Sequence, residues 1–190
     1  TAFVLDYRGD WQGETLTFET ASGELTVQRL NDALCVEFPS VPMAAIDHLA
    51  AVEQALGVDV MSMHQPEENA WQMVCELSNQ AAVEACDPDF SALAEATALG
   101  VAVTAKGDTH DFVSRFFIPQ LGINEDPVTG SAHCQLTPFW AAKLGKSRLV
   151  ACQLSSRGGD LTCELKGNRV QLSGNCSLFA EGVLHLPSAE

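Results

Sequence analysis

The stretch Gly130-Ser-Ala-His-Cys-Gln-Leu-Thr-Pro-Phe-Trp-Ala-Ala-Lys-Leu144 decides the fold, because it is the longest helical pattern in the chain and is apolar on nearly every side. A helix that is apolar all round is buried and does not lie on a surface. We therefore expect a helix over 130–144 that is enclosed by a sheet. Pro138 falls inside this pattern, and it predicts a kink or a break in the helix.

Alternating and apolar runs on both sides of this helix predict the strands that enclose it. The runs 15–20 and 24–29 predict a hairpin, and 33–38, which ends at Pro39, adds a third antiparallel strand. Further strands are predicted at 58–63, 70–77, 101–105, 111–118, 148–154, 160–165, 168–173 and 176–186, with a polar turn at 65–69. Other helices are predicted at 46–56, ended by Gly57, after Asn79, and at 90–99. The predicted fold class is α+β, with a sheet wrapped around a helix.

Composition excludes several classes of protein. The 190 residues are 46% hydrophobic and 18% charged, which suits one or two globular domains. A formal net charge of −15 disfavours nucleic acid and membrane surfaces as partners, although a small anion can still bind locally. The 7 cysteines are scattered and odd in number, so we expect them to be reduced. With no predicted membrane span or leader, we expect a cytoplasmic protein.

The start of the long helix is the best candidate for a functional site. The run Glu125-Asp-Pro-Val-Thr-Gly-Ser-Ala-His133 places small residues there, so the unpaired backbone N–H groups of Gly130, Ser131 and Ala132 point out of the helix end. Together with the helix dipole, these donors can hold a carboxylate or an enolate oxygen. The structural alternative is that Thr129 simply caps a buried helix and Asp126 lies on a solvated turn. Spacing alone favours this alternative.

The region 111–134 resembles a known family through two motifs, Ser114-Arg-Phe-Phe-x-Pro119 and Gly122-Ile-x-Glu-Asp-Pro-Val-Thr-Gly-Ser-Ala-His133. The stretches 18–27 and 153–161 agree with it. The chain is similar to the PhzF-like isomerases of phenazine biosynthesis, relatives of diaminopimelate epimerase. The resemblance implies two similar halves, each a curved mixed sheet around a central helix, with the active site between them. It also implies a homodimer and isomerisation without a cofactor, by removal and return of a proton.

The resemblance assigns roles to residues at the start of the long helix. It makes Asp126 and Ser131 catalytic, and it makes Gly130 and Ala132 part of the backbone that binds the substrate. Ser131 stands where the epimerases have a catalytic cysteine, so a thiol is not expected to act there. The family's catalytic glutamate and a Gly-His-Ala-Thr motif belong to an N-terminal region that we expect this chain to lack. On this view the apolar opening 1–7 is the end of a buried helix.

The same comparison predicts the domain organisation. Residues 1–40 are expected to be the end of the first epimerase-like half, and residues 41–190 the second half. The last strand or strands of the second half are expected to be able to pair back with the first half.

Other candidate residues are less specific. Arg157, Gly158 and Gly159 can bind a substrate carboxylate, with a plain hairpin turn as the alternative. His133 is a weak candidate for proton transfer, because the helix dipole should keep its imidazole neutral. Cys134 has no evident base partner. We predict neither a cofactor nor a metal, because four histidines are too dispersed to form a cluster: His48, His64, His110 and His185.

The sequence therefore predicts a PhzF-like isomerase that moves a proton on a small carboxylate-bearing molecule. We expect it to be active only with the N-terminal segment, which counts among its partners. The alternative is a protein that binds a small anion without turning it over, or an inactive fragment. An upstream segment carrying the glutamate would separate the two hypotheses.

Overall fold

The computed structural model describes residues 1–21, 23–30, 33–66 and 71–183. Within them, twelve strands form one sheet: β1 (Thr15–Thr20), β2 (Gly23–Leu30), β3 (Ala33–Pro39), β4 (Ala44–Ile46), β5 (Ser62–Gln65), β6 (Gln72–Glu76), β7 (Gly100–Lys106), β8 (Phe112–Ile118), β9 (Ile123–Asp126), β10 (Arg148–Gln153), β11 (Gly159–Lys166) and β12 (Arg169–Gly174). The helices are α1 (Ala2–Tyr7), α2 (Ala50–Leu56), α3 (Gln80–Ala85), α4 (Phe90–Ala96) and α5 (Gly130–Leu144), with a 3-10 turn at Pro119–Leu121.

The strands follow the order β1-β2-β3-β12-β11-β10-β8-β7-β6-β5-β4, and β9 pairs with β8 outside this path. The pairs β10–β8 and β6–β7 are parallel, whereas the other neighbours are antiparallel. The sheet is therefore mixed, and the α+β class predicted from the sequence is confirmed. The predicted hairpin and third strand at the N-terminal end of the chain are confirmed as β1, β2 and β3.

The central helix α5 runs from Gly130 to Leu144 as predicted, and Gly145 ends it with a left-handed φ of 64°. A kink or a break was predicted at Pro138. The break is wrong, because the helix continues through this residue, and the kink stays a prediction. Proline lacks the N–H that would bond to the carbonyl four residues earlier. That carbonyl, on Cys134, accepts a hydrogen bond from the backbone N–H of Val41 at 3.0 Å. The proline therefore leaves no buried acceptor without a partner.

The core lies on both faces of the middle strands. On one face, Phe112 of β8 stacks on Trp140 of α5 with ring centroids 5.9 Å apart, and the indole N–H donates to Thr104 Oγ1 at 3.0 Å. On the other face, β6, β7 and β8 pack against α2, α3 and α4, around buried residues such as Leu56 and Leu93. Alternate residues of these strands point to opposite faces of the sheet. One set packs against the apolar helix α5, and the other packs against α2, α3 and α4.

Several predicted boundaries are wrong. The predicted helix at 46–56 is strand β4 followed by the shorter α2, which does end at Gly57. The predicted strand at 58–63 begins only at Ser62, and the predicted helix at 90–99 ends at Ala96. No strand occurs in 175–183, so the predicted strand at 176–186 is wrong there, and its end lies outside the described residues.

Three further predictions concern the ends of elements. Asn79 caps α3 as predicted, since its side chain accepts a hydrogen bond from Ala82 N at 2.9 Å. The opening 1–7 is helical, but α1 has no buried residue, contrary to the prediction of a buried helix. The predicted turn at 65–69 and the start of the predicted strand at 70–77 lie partly outside the described residues. In the described part of the chain, no helix is long and apolar enough to cross a membrane.

Candidate functional site

The loop between β9 and α5 shapes the start of the central helix. Thr129 occupies the N-cap position, but its side chain accepts no capping hydrogen bond from the helix. Instead, its hydroxyl donates to Asp126 Oδ2 at 2.5 Å. In the described ranges, no other side chain accepts from the first-turn N–H groups of α5 either. These groups are the donors that a helix leaves unpaired. The structural alternative, in which Thr129 simply caps the helix, does not describe this geometry.

Gln153, at the end of β10, holds this loop in place. Its side chain is fully buried, and its Oε1 accepts from the backbone N–H of Thr129 at 2.8 Å. Its Nε2 donates to the carbonyl of Asp126 at 2.7 Å and to Thr129 Oγ1 at 3.2 Å. A single amide therefore pairs with three polar groups of the loop. We did not predict this role from the sequence, because nothing in the spacing of one glutamine reveals a partner 24 residues away.

The hairpin between β10 and β11 contacts the same loop. Ser155 Oγ donates to the carbonyl of Pro127 at 2.7 Å and accepts from the backbone N–H of Gly158 at 3.0 Å. A Cβ added to Gly159 would lie 2.5 Å from Val128 Cγ2, so only glycine fits there without movement. The structure thus places Gly159 against the loop before α5, whereas the contacts of Gly158 lie within its own hairpin. Arg157, in the same hairpin, has an exposed side chain and forms no ion pair within the described part of the chain.

A groove of about 350 Å³ opens at the start of α5. Of the predicted site residues, Gly130 lines it, and the groove wall consists mainly of apolar side chains. These come from α1, β2, β3, β11 and β12: Phe3, Val27, Leu34, Val36, Phe38, Leu161 and Leu172. The glycine leaves room beside this wall, because its nearest neighbour in the groove direction, Leu172 Cδ1, would lie 3.9 Å from an added Cβ.

Exposure differs along the first turn of α5. Gly130 and Ser131 are partly exposed, whereas Ala132 is only 1% exposed. The first two residues of α5 therefore keep accessible surface, whereas Ala132 is covered by protein. Asp126, which ends β9, is partly exposed as well.

His133 lies inside the core and not at the surface of the site. Its side chain has no exposed surface, and Nδ1 bonds to the carbonyl of Thr129 at 2.8 Å. Because a carbonyl only accepts, Nδ1 carries the proton of the neutral ring. Burial, and not chiefly the helix dipole that the sequence suggested, lowers the pKa of His133. The ring is therefore held neutral behind the site, out of contact with the groove.

The cysteines are free, as predicted. Burial raises the pKa of the Cys134 thiol to about 12, which does not suit a nucleophile.

The structure also shows a group of possible metal ligands that the sequence did not reveal. The ligand atoms of His110, Cys152 and Asp160 all lie within 4.8 Å of one another. Counting histidines alone missed this group, because it contains one histidine and its members are up to 50 residues apart.

Comparisons with known proteins agree with the motifs. The pattern of the family described as phenazine biosynthesis-like protein matches residues 1–182. An uncharacterized isomerase of Pseudomonas aeruginosa is 45% identical, over 97% of this chain and 70% of its own length. The crystal structure of a PhzF-family phenazine biosynthesis protein from Enterococcus faecalis has a TM-score of 0.92 and 42% identity, covering 98% of this chain and 70% of that one. A predicted epimerase from P. aeruginosa, at 17% identity, has a TM-score of 0.63 over 98% of this chain and 72% of its own, which shows a shared fold.

Proposed function

This chain belongs to the family of phenazine biosynthesis-like proteins, and from that membership we propose that it is an isomerase that moves a proton on a small carboxylate-bearing molecule without a cofactor. One observation carries the proposal. The N–H groups of Gly130 and Ser131 begin a buried helix beside a groove, and the neighbouring Thr129 side chain does not cap them. Backbone donors held in this way are the arrangement that binds a carboxylate.

The second step concerns the charge that proton transfer creates. Removing a proton next to a carbonyl or an imine places negative charge on the substrate, and fixed N–H donors stabilise that charge without having to reorganise. The Ser131 hydroxyl, partly exposed in the same turn, can donate one more hydrogen bond. These groups therefore bind the transition state as well as the substrate.

The third step concerns the proton. Asp126 is partly exposed, and its Oδ2 is fixed by the hydroxyl of Thr129, which leaves the carboxylate other lone pairs with which to accept a proton. A proton-transfer group must lie within hydrogen-bond reach of the atom it serves. We assign Asp126 to accept or relay the proton and Ser131 to hold the substrate oxygen, with His133 in a supporting position behind them.

The β10–β11 hairpin supplies a second polar contact in this proposal. Ser155 and Gly159 contact the loop that carries Asp126, and Arg157, between them in the same hairpin, presents a guanidinium in a protein of formal net charge −15. A guanidinium binds a carboxylate through two parallel hydrogen bonds. We assign Arg157 to a second acidic group of the substrate.

The proposal also includes a homodimer, which the resemblance implies. Sedimentation as a monomer at high concentration would contradict this part of the proposal.

Deuterium incorporation tests the proposed activity. The protein, as its gene encodes it, is incubated in D₂O with a panel of small carboxylic acids, and NMR follows loss of the carbon-bound proton next to the carbonyl. We expect exchange in at least one acid, slowed by Asp126→Asn and by Ser131→Ala. Asp59→Asn and Ser91→Ala are matched controls, because Asp59 is exposed and Ser91 is, like Ser131, the second residue of a helix.

Two outcomes would contradict the proposal. Exchange that is unchanged by both site variants would place the chemistry elsewhere. Binding of an acid at Gly130 and Ser131 with no exchange of any acid in the panel would favour the alternative function, a protein that binds a small anion without turning it over.

A further inference from the structure

We propose that His110, Cys152 and Asp160 form a binding site for a divalent ion of the zinc class, separate from the residues at the start of α5. Three segments supply the ligands: the turn before β8, the end of β10 and the start of β11. Their ligand atoms lie within 4.8 Å of one another, and His110 Nε2 is 3.0 Å from Asp160 Oδ1.

The backbone places these three side chains together. Cys152 and Asp160 are direct partners in the antiparallel pairing of β10 and β11, so their side chains leave the sheet on the same side. The turn that carries His110 is tight, because a Cβ on Gly107 would lie 2.7 Å from the carbonyl oxygen of His110. Thr109 Oγ1 is 3.1 Å from His110 Nδ1, which orients the ring with Nε2 toward the other two ligands. Such a partner on the second ring nitrogen is typical of histidines that bind metals.

The ligand set selects the class of ion. One imidazole nitrogen, one thiolate sulfur and one carboxylate oxygen suit Zn²⁺ or a similar transition metal, whereas Mg²⁺ and Ca²⁺ prefer oxygen ligands alone. Three protein ligands leave the fourth position of a tetrahedral ion for water or another small ligand. The Asp160 side chain is 77% exposed and that of His110 is 26% exposed, so an ion reaches the site from solvent. The negative net charge of the chain favours its approach.

The site lies at the base of the β10–β11 hairpin. Cys152 and Asp160 flank the segment whose Ser155 and Gly159 contact the loop in front of α5. An ion held by these residues would join both arms of the hairpin to the turn before β8. We therefore infer that binding stabilises the hairpin and, through it, the loop that carries Asp126.

Cobalt is the probe, because a Co²⁺–thiolate bond gives a charge-transfer band in the near ultraviolet and tetrahedral Co²⁺ gives strong visible bands. The protein, freed of metal with a chelator, is titrated with CoCl₂ and then with ZnCl₂ in competition. We expect one ion per chain, with both bands present and reversed by zinc. Cys152→Ser is expected to remove the charge-transfer band, and Asp160→Asn and His110→Gln to weaken binding by at least about tenfold.

Cys176→Ser is the matched control, because Cys176 is a free and exposed thiol outside this group. Its substitution is expected to leave the titration unchanged. Asp160→Asn covers the case in which Cys152→Ser fails to fold, because the carboxylate is largely exposed. The proposal is overturned if the unaltered protein shows no charge-transfer band. It is also overturned if Cys176→Ser removes that band, or if Asp160→Asn and His110→Gln bind Co²⁺ as tightly as the unaltered protein.

Discussion

At the scale of single residues, the hydrogen bond from Thr129 to Asp126 determines whether the first N–H groups of α5 are capped by the threonine side chain. The hydroxyl of Thr129 donates to Asp126, so it is not the acceptor that would satisfy the helix N–H groups. Had it capped the helix, the donors of the first turn would already be paired. The same bond fixes the carboxylate that we assign to proton transfer. One threonine thereby leaves the first turn of α5 without a side-chain cap, at the place where we propose an anion site, and fixes the carboxylate of Asp126.

The first prediction concerns Ser131. Replacing it with alanine removes one hydroxyl donor and leaves the backbone donors in place, so carboxylate binding should weaken by about 0.5–1.5 kcal/mol. Ser131→Pro should cost more, because it removes a backbone N–H. Calorimetric titration measures both effects, with Ser91→Ala as the control. A Ser131→Ala protein that loses stability but binds as before would support a purely structural role.

The second prediction concerns the charge of His133. Its folded-state pKa lies below the ordinary value of 6.5 because burial disfavours the cation. A lowered pKa contributes stability that is complete above the unfolded-state value and is lost as the pH falls through the folded-state value. The free energy of unfolding should therefore decrease between about pH 7 and about pH 5.

The ring itself can be followed by NMR. The carbon-bound proton signals of His133 should show the neutral ring with a proton on Nδ1 and should not titrate near pH 6.5. Exposed His48 is an internal comparison in the same spectra. Titration of His133 at or above 6.5 would refute the buried, neutral ring.

At the scale of elements, the loop before α5 is held between the end of β10 and the β10–β11 hairpin. Gln153 satisfies its polar groups, and Gly159 allows Val128 to approach the strand closely. Burial of an amide is costly unless it is hydrogen-bonded, and a glycine is needed where a neighbouring side chain lies directly against the backbone. The position of the loop before α5 therefore depends on Gln153 and Gly159, and neither residue lines the groove.

The third prediction compares two buried glutamines. Gln153→Leu leaves Thr129 N–H and the Asp126 carbonyl without their partner, which should destabilise the protein by about 1–3 kcal/mol. Gln135 on α5 is also fully buried, but its amide has no partner among the residues that the structure describes. Gln135→Leu should therefore be neutral or stabilising. Chemical denaturation gives both values, and equal losses for the two variants would be the contrary result.

The fourth prediction concerns Gly159. A methyl group there would lie 2.5 Å from Val128 Cγ2, so Gly159→Ala should destabilise by about 1–3 kcal/mol through overpacking. Gly174→Ala is the control, because its Cβ would be 3.7 Å from the nearest atom. Val128→Ala should restore part of the loss in the double variant, since the two residues are in contact. Strictly additive losses would show that the hairpin and the loop do not pack as described.

Sequence reasoning succeeded where the signal is local. Helix α5 has both its ends marked, with Gly130 after an extended loop and Gly145 in a left-handed conformation, and its bounds were predicted. Strands β4 and β9 were missed, because three or four residues give too short a pattern to recognise. The predicted break at Pro138 was wrong. The carbonyl that the proline leaves free accepts a hydrogen bond from Val41 N–H, which lies almost 100 residues away in the sequence and is not visible in a local pattern.

At the candidate site, too, the local signal was recognised and the contacts between distant segments were not. The motif around Gly130 was recognised, whereas the role of Gln153 and the group formed by His110, Cys152 and Asp160 were not. Both depend on the pairing of β10 with its neighbours, which no spacing in the sequence specifies. The domain boundary near residue 40 stays a prediction.

At the scale of the whole molecule, one sheet joins the two ends of the chain. Strand β12 pairs with β3, which connects the N-terminal meander to the strands around α5. Leu172 of β12 and Val36 of β3 are direct partners in that pairing, and both line the groove at Gly130. The groove therefore exists because early and late segments of the chain meet beside the end of the buried helix.

Amide NMR of the ¹⁵N-labelled protein during a titration with acetate tests the central claim most directly, namely that the start of α5 is an open carboxylate site. We predict that the largest shifts occur at the N–H groups of Gly130 and Ser131, that they saturate, and that Ser131→Ala weakens them while Ser91→Ala does not. Shifts that centre on other segments, or backbone signals of Gly130 and Ser131 that do not move at saturating acetate, would contradict the account.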